Sequence, residues 1–213
     1  MHIKIFRLFL MVLVLFAFNG CYSTSKMRNI DQSKVPLDNR MTVAVVDFAN
    51  QTGDKSYDQL IGSVTGNMID ELQKTKAYRL IERQRLDTVL GELKLSMSGL
   101  MDSEKAKQVG KQLGVDAFIF GNLASVKYSR SKQSILIMWT EGQQNEVSMD
   151  ARLVKVETGE IVSSAKANAY VKQRTWVAFW FAKLGRVIEK NSIIQTGIEL
   201  CVRDLAVSLA EGN

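Results

Sequence analysis

The run Met-Thr-Val-Ala-Val-Val-Asp-Phe at residues 41–48 constrains this 213-residue chain more than any other stretch. Val43, Val45, Val46 and Phe48 interrupt the apolar/polar alternation of a half-exposed strand, so the segment is buried on both faces or nearly so. Asn-Gln-Thr-Gly-Asp at 50–54 is turn chemistry. Tyr57, Leu60, Ile61, Val64, Met68 and Leu72 then recur at three- and four-residue spacing, which predicts an amphipathic helix over 56–74. A short strand is expected at 77–81. A second helix opens at Glu82-Arg83-Gln84-Arg85, with Leu86, Val89, Leu90 and Leu93 inward. A third starts with Ser103 as N-cap and stops at Gly114. Residues 115–128 form the next strand, exposed and basic at its far end.

Further on, Val147, Met149, Ala151, Leu153 and Val154 face Ser148, Asp150 and Arg152 along 146–156. A tight turn at Glu-Thr-Gly-Glu, 157–160, returns the chain through 161–171 as a hairpin. Ile194, Ile198, Cys201, Leu205 and Leu209 share one face of a closing helix over 192–210. The expected fold is α+β: a mixed or antiparallel sheet with helices packed on it, as one domain over 41–213.

Residues 1–20 read as a signal peptide. Lys4 and Arg7 are its positive region, and residues 8–18 are an apolar run. About 11 residues are too few to span ~30 Å of bilayer as a helix. Gly20-Cys21 closes the leader as a bacterial lipoprotein signal closes, with the Cys21 thiol fatty-acylated (palmitate) as the new N-terminus. Phe18 and Asn19 depart from the usual lipobox, and ordinary cleavage to a soluble periplasmic protein is the competing outcome. Residues 21–40 are polar, hold Pro36, the only proline, and read as a lipidated tether, paired to the body near its end. About 190 residues remain after the leader, enough for one well-buried domain or two small ones. The net charge of +6 includes Lys4 and Arg7; without them it falls to about +4, spread along the chain. That suits anionic lipid headgroups better than nucleic acid. Cys201 is left without a disulfide partner and belongs to the core.

The Val-Ala-Val-Val-Asp-Phe…Asn-Gln-Thr-Gly pattern is followed by Leu-Ile-Glu-Arg-Gln-Arg-Leu at 80–86 and Gly-Val-Asp-Ala-Phe-Ile-Phe-Gly at 114–121. Residues 151–164 add Ala-Arg-Leu-Val-Lys-Val-Glu-Thr-Gly-Glu-Ile-Val-Ser-Ser. In this order the motifs resemble the curli secretion channel (CsgG) family of lipoproteins, over roughly 41–171 and 191–210. The resemblance implies an outer-membrane lipoprotein facing the periplasm. It further implies a ring-shaped homo-oligomer that supports secretion or assembly of extracellular, curli-like fibre subunits. It resembles, more distantly, lipoprotein activators of penicillin-binding proteins. They imply the alternative of a lipid-anchored adaptor without a pore, docked on an envelope partner.

Channel members narrow the pore with a loop after the first strand. Here that loop is short, 53–56, leaving Tyr57 as the constriction-loop candidate. Members also insert two membrane hairpins, and two segments stand where those would be. Residues 129–148 hold the apolar run Ser-Ile-Leu-Ile-Met-Trp ending at Trp139, with a polar turn at 140–145. Residues 172–190 hold Trp176, Phe179, Trp180 and Phe181. This second segment reads either as a strand pair turning at 183–186 or as a helix with Trp176, Phe179 and Trp180 on one face. Membrane-interface or oligomer contact, a membrane strand, and plain core packing all fit these aromatics.

Enzyme chemistry is not expected. The only histidine is His2, in the leader, so the mature chain offers no imidazole base or metal ligand and no Ser-His-Asp arrangement. No cofactor or metal is implied. Asp47, Asp54 and Asp58 read as capping groups, Glu82–Arg85 as a solvated helix start able to bridge to a neighbouring subunit, and Lys127, Arg130 and Lys132 as a basic patch without a nucleic-acid role.

Overall fold

A computed structural model of the chain describes residues 22–26, 28–33, 35–96, 102–135, 138–178, 182–184 and 189–212. The strands are β1 (Tyr22–Thr24), β2 (Thr42–Val45), β3 (Ala49–Asn50), β4 (Arg79–Leu80), β5 (Ala117–Ile135), β6 (Met138–Lys155), β7 (Ile161–Ala178) and β8 (Ala182–Leu184). The helices are α1 (Asp58–Thr75), α2 (Arg83–Glu92), α3 (Ser103–Leu113) and α4 (Lys190–Glu211). The strands make one mixed sheet in the order β1-β7-β6-β5-β2-β4, with β3 on β5 and β8 on β7. β2 runs parallel to both β4 and β5. β1 and β8 are antiparallel to β7. The fold is therefore α+β. Among the described residues no helix is long and apolar enough to cross a membrane.

The chain forms two compact units. One gathers Met1–Ser25, Lys127–Glu146 and Tyr170–Gly197; the other Lys26–Val126, Val147–Ala169 and Ile198–Asn213. The second unit holds the dense core. Val43, Ala44, Val45 and Val46 are at most 3% exposed, because β2 has a strand on each side and helices on both faces. Alternation sends Ala44 and Val46 one way, into a cluster with Leu86, Val89, Leu90, Val109, Leu113, Phe118 and Val156. Val43 and Val45 point the other way. α1 meets β2 and buries Val64, Met68 and Leu72, the residues whose spacing predicted it. Cys201 of α4 is buried, with its Sγ donating to the Val147 carbonyl at 3.3 Å. Tyr78 closes the layer by donating its hydroxyl to Leu209 O at 2.7 Å.

The expected third helix begins one residue early. Asp102, not Ser103, is the N-cap, its Oδ1 accepting from the N–H groups of Glu104 (3.0 Å) and Lys105 (3.4 Å). A carboxylate at that place satisfies two orphan donors and opposes the positive helix end. Gly114 ends the helix at φ 69°, a left-handed conformation that suits glycine. The 157–160 turn closes with the Lys155 N–H on Glu160 O at 2.9 Å. Both hairpin strands outrun their expected ends, β6 starting at Met138 and β7 continuing to Ala178.

Residues 22–40 are not a free tether. β1 pairs at the start of that stretch, Tyr22 opposite Gln173 and Thr24 opposite Val171. Further along, the Ser33 N–H donates to Thr75 O at 2.8 Å, so the stretch also pairs toward its end. In the second unit Arg28 holds the stretch to α4. Its guanidinium reaches Asp204 (3.3 Å), Ser208 (2.7 Å) and Glu211 (2.6 Å). Its carbonyl accepts from Arg203 Nε at 2.9 Å.

A Cβ on Gly121 would overlap the ring of Phe48, itself 2% exposed, whereas one on Gly62 of α1 meets nothing within 4 Å. Gly121→Ala should therefore destabilise by ~1–3 kcal/mol through overpacking. Gly62→Ala should stabilise by ~0.5–1 kcal/mol through helix propensity. Urea midpoints of the two variants check the contrast. Alkali tests the core independently. Burial pushes the Cys201 thiol and the Tyr78 hydroxyl each up to about 12. Both groups are neutral when protonated, so their raised folded values favour the fold below the ordinary pKa and lose it as the unfolded chain ionises. The melting temperature should fall between about pH 9 and about pH 12, less steeply in a Cys201→Ala, Tyr78→Phe variant.

Candidate functional site

The site that sequence patterning singles out lies in the first unit, on the paired far halves of β5, β6 and β7. Polar residues occupy both faces of β5 there: Ser129, Arg130, Ser131, Lys132, Gln133 and Ser134 are all exposed. Their cations are answered across the hairpin. Glu141, whose side chain is 14% exposed, bridges Arg130 at 2.9 Å and Lys132 at 3.6 Å. Lys127 meets Glu146 at 3.6 Å. The Arg130 hydrogen bond holds the Glu141 carboxyl below its usual range, against the opposing effect of burial, and Glu141 in turn raises Arg130. The basic patch is thus charge-compensated within the chain. Glu141 is a binding hub that the sequence reading missed. The signal was available as acids at 141 and 146 facing cations at 127, 130 and 132.

This pairing also relocates a turn. Residues 140–145, expected as the polar turn of the first hairpin, belong to β6. Their polarity matches the polar strand they pair with, and β6 already begins at Met138. The inner row of β6 continues past Val147 as Asn145 (0% exposed) and Gln143 (6%). Gln143 Oε1 accepts from Tyr128 OH at 3.1 Å, and Asn145 Nδ2 donates to Ile193 O at 3.4 Å. Lys190 Nζ stands 5.5 Å from the Tyr128 ring centre, within cation–π range.

The second candidate segment is a strand pair, not a helix. Trp176 lies opposite Leu184, Val177 opposite Lys183 and Ala178 opposite Ala182. Lys183 and Leu184, expected in a 183–186 turn, are paired strand residues. Trp139 is placed on β6 and Trp176 on β7. Phe179, Trp180, Phe181 and the acylation candidate Cys21 lie outside the described residues.

Each unit 1 edge differs. Inboard, β5 has β2 at 117–119 and β3 at 122–123 as neighbours on the side away from β6. Over 127–135, no strand among the described residues pairs with that side. At the other edge β8 covers β7 opposite 176–178, and β8 itself has only β7 as a partner among the described residues.

In the second unit, Tyr57 is buried at 8% exposure, and burial followed by the nearby Asp54 charge raises its hydroxyl pKa. The three aspartates do not converge. Asp47 Oδ2 meets Arg83, at the solvated start of α2, at 2.9 Å. Asp54 caps a 3-10 turn by accepting from the Ser56 N–H. Asp58 accepts from Asn50 Nδ2 at 2.6 Å, and the same amide reaches Asp54 O. An apolar cleft of about 220 Å³ lies beside Phe118, Phe120, Val156 and Ile161, with Arg152 5.8 Å from the Phe120 ring centre. Its polar lining is Ser103, Arg152 and Lys155.

Comparison with curated protein sequences finds no match. Several solved structures are loosely similar. The LpoB C-terminal domain from Salmonella enterica shares 18% identity over 60% of this chain and 81% of that one, at a TM-score of 0.43. Lipoprotein GNA1162 from Neisseria meningitidis shares 14% over 60% and 78%, at 0.44. A PelC dodecamer from Paraburkholderia phytofirmans shares 12% over 90% and 97%, at 0.41. The family model for the curli production assembly/transport component CsgG matches residues 23–211, nearly the whole chain. This chain belongs to the CsgG family.

Proposed function

We propose that this protein is an outer-membrane lipoprotein, acylated at Cys21 and facing the periplasm. It assembles into a ring that supports secretion or assembly of extracellular, curli-like fibre subunits. The observation that carries the ring is the pair of unlike open edges in the first unit. Exposed strand edges are templates for another strand. β5 and β8 sit at opposite ends of a β5-β6-β7-β8 run in which neighbours alternate in direction, so β8 of one copy meets β5 of the next antiparallel. The contact is heterologous: one face of a copy against a different face of its neighbour. Such contacts close into rings when the rotation allows. The aromatics around Trp139, Trp176, Phe179, Trp180 and Phe181 then serve membrane or subunit contact. The role is non-enzymatic: the mature chain has no histidine, and Asp47, Asp54, Asp102 and Glu141 are engaged in caps and ion pairs.

Light scattering of the detergent-extracted lipidated protein, with single-particle images of the peak, should give a closed ring many subunits wide. A monomer or dimer overturns the ring and leaves the lipid-anchored adaptor, bound to an envelope partner, as the working model. Edge pairing has its own test. Ser131 and Lys132 are consecutive in β5, so one N–H points toward β6 and the other toward the open edge. Proline at the edge-facing position should break the ring into small species without altering the circular dichroism of the subunit. Unchanged mass in both Ser131→Pro and Lys132→Pro rules out β5 edge pairing.

A further inference from the structure

The residue expected to carry the acyl chains is joined directly to a strand. β1 begins at Tyr22, with Ser23 opposite Lys172 and Thr24 opposite Val171 of β7. The ladder runs on: the Ser25 N–H donates to Tyr170 O at 2.9 Å, and the Tyr170 N–H donates to Ser25 Oγ at 2.7 Å. A free tether over 22–40 would reach roughly 65 Å when extended, whereas the one peptide between Cys21 and Tyr22 spans about 3.8 Å. The anchor is therefore fixed to the first unit at the β7 position of Gln173. Lys172 and Arg174, both exposed, flank that position on the same strand.

We infer that β1 is a clamp: it holds the acylated N-terminus on the edge of β7, so that the bilayer surface meets the first unit at Gln173, with Lys172 and Arg174 on anionic lipid headgroups. The inference rests on the acylation of Cys21 proposed above. A clamped domain and a tethered one differ in a measurable way, because a tether lets the domain sample distances far from the headgroups and a one-residue link does not. Cations held within a Debye length of an anionic surface are attracted to it, and beyond that distance the attraction is screened.

The full-length lipoprotein carrying Lys172→Cys can be labelled there with a small fluorophore, since Cys201 is buried. It is reconstituted in phosphatidylcholine–phosphatidylglycerol vesicles with brominated acyl chains, and intact mass is recorded in parallel. Strong quenching is expected. An insert of about twelve Gly/Ser residues between Cys21 and Tyr22, a flexible coil, should abolish most of it. Arg174→Glu should weaken quenching in these vesicles and leave it unchanged in phosphatidylcholine alone. Equal quenching of acylated parent and acylated insert variant overturns the clamp while leaving the anchor intact. Protein without acyl mass overturns the anchor and the clamp together. Insensitivity to Arg174→Glu overturns the headgroup contact.

Discussion

Burial of β2 on both faces is the constraint from which the rest of the second unit follows. Four consecutive residues at 3% exposure or less leave no side of that strand for solvent. Helices must cover both faces, and strands must satisfy both edges. A buried Val contributes ~1.5–3 kcal/mol by its area, so this short strand is a dense stabiliser for its length. Parallel neighbours need crossovers, and α1 supplies one between β2 and β4 while α2 and α3 supply another before β5. Phe48 extends the same logic beyond the strand. Its ring fills the space that a side chain at 121 would take, so a glycine is placed where sheet and ring touch.

The first unit is held by different forces. Its β5 carries polar residues on both faces over 129–134, its buried row on β6 includes Gln143 and Asn145, and its side-chain links include the ion pairs around Glu141 and the Tyr128–Gln143 hydrogen bond. Exposed pairs contribute ~0–1 kcal/mol each. Val171, Ile193 and Ile194, each at most 1% exposed, add apolar burial to that pairing. The same polarity argues against the 129–134 stretch as lipid-facing, since neither face of it offers the apolar row a spanning strand presents.

Periodicity made the second unit legible. Val64, Met68 and Leu72 fell on the inner face of α1, as did Ile198, Cys201, Leu205 and Leu209 of α4, because a single apolar stripe has one way to be buried. The first unit was less legible for a physical reason. Residues 140–145 are polar, and polarity in sequence reads as a turn unless the partner strand is also known to be polar. The aromatic stretch after Arg174 fits helix and strand periods equally over so short a span, and only the register of Trp176 with Leu184 decides between them. β1 left almost no trace, being three residues long. Arg28 was hidden for another reason: its partners Asp204, Ser208 and Glu211 lie at the far end of the chain.

The proposed anchor and the open edges belong to the same unit, and that coincidence bears on assembly. Strand-edge pairing between free molecules must offset the loss of translational and rotational freedom. Copies held at one membrane by a one-residue link have already lost most of the freedom to tumble and to differ in height. Their β5 and β8 edges then meet at a raised effective concentration. A long tether would give the concentration without the alignment. On the proposed reading, the strand that follows Cys21 thus contributes to ring formation by orienting the edges that make it.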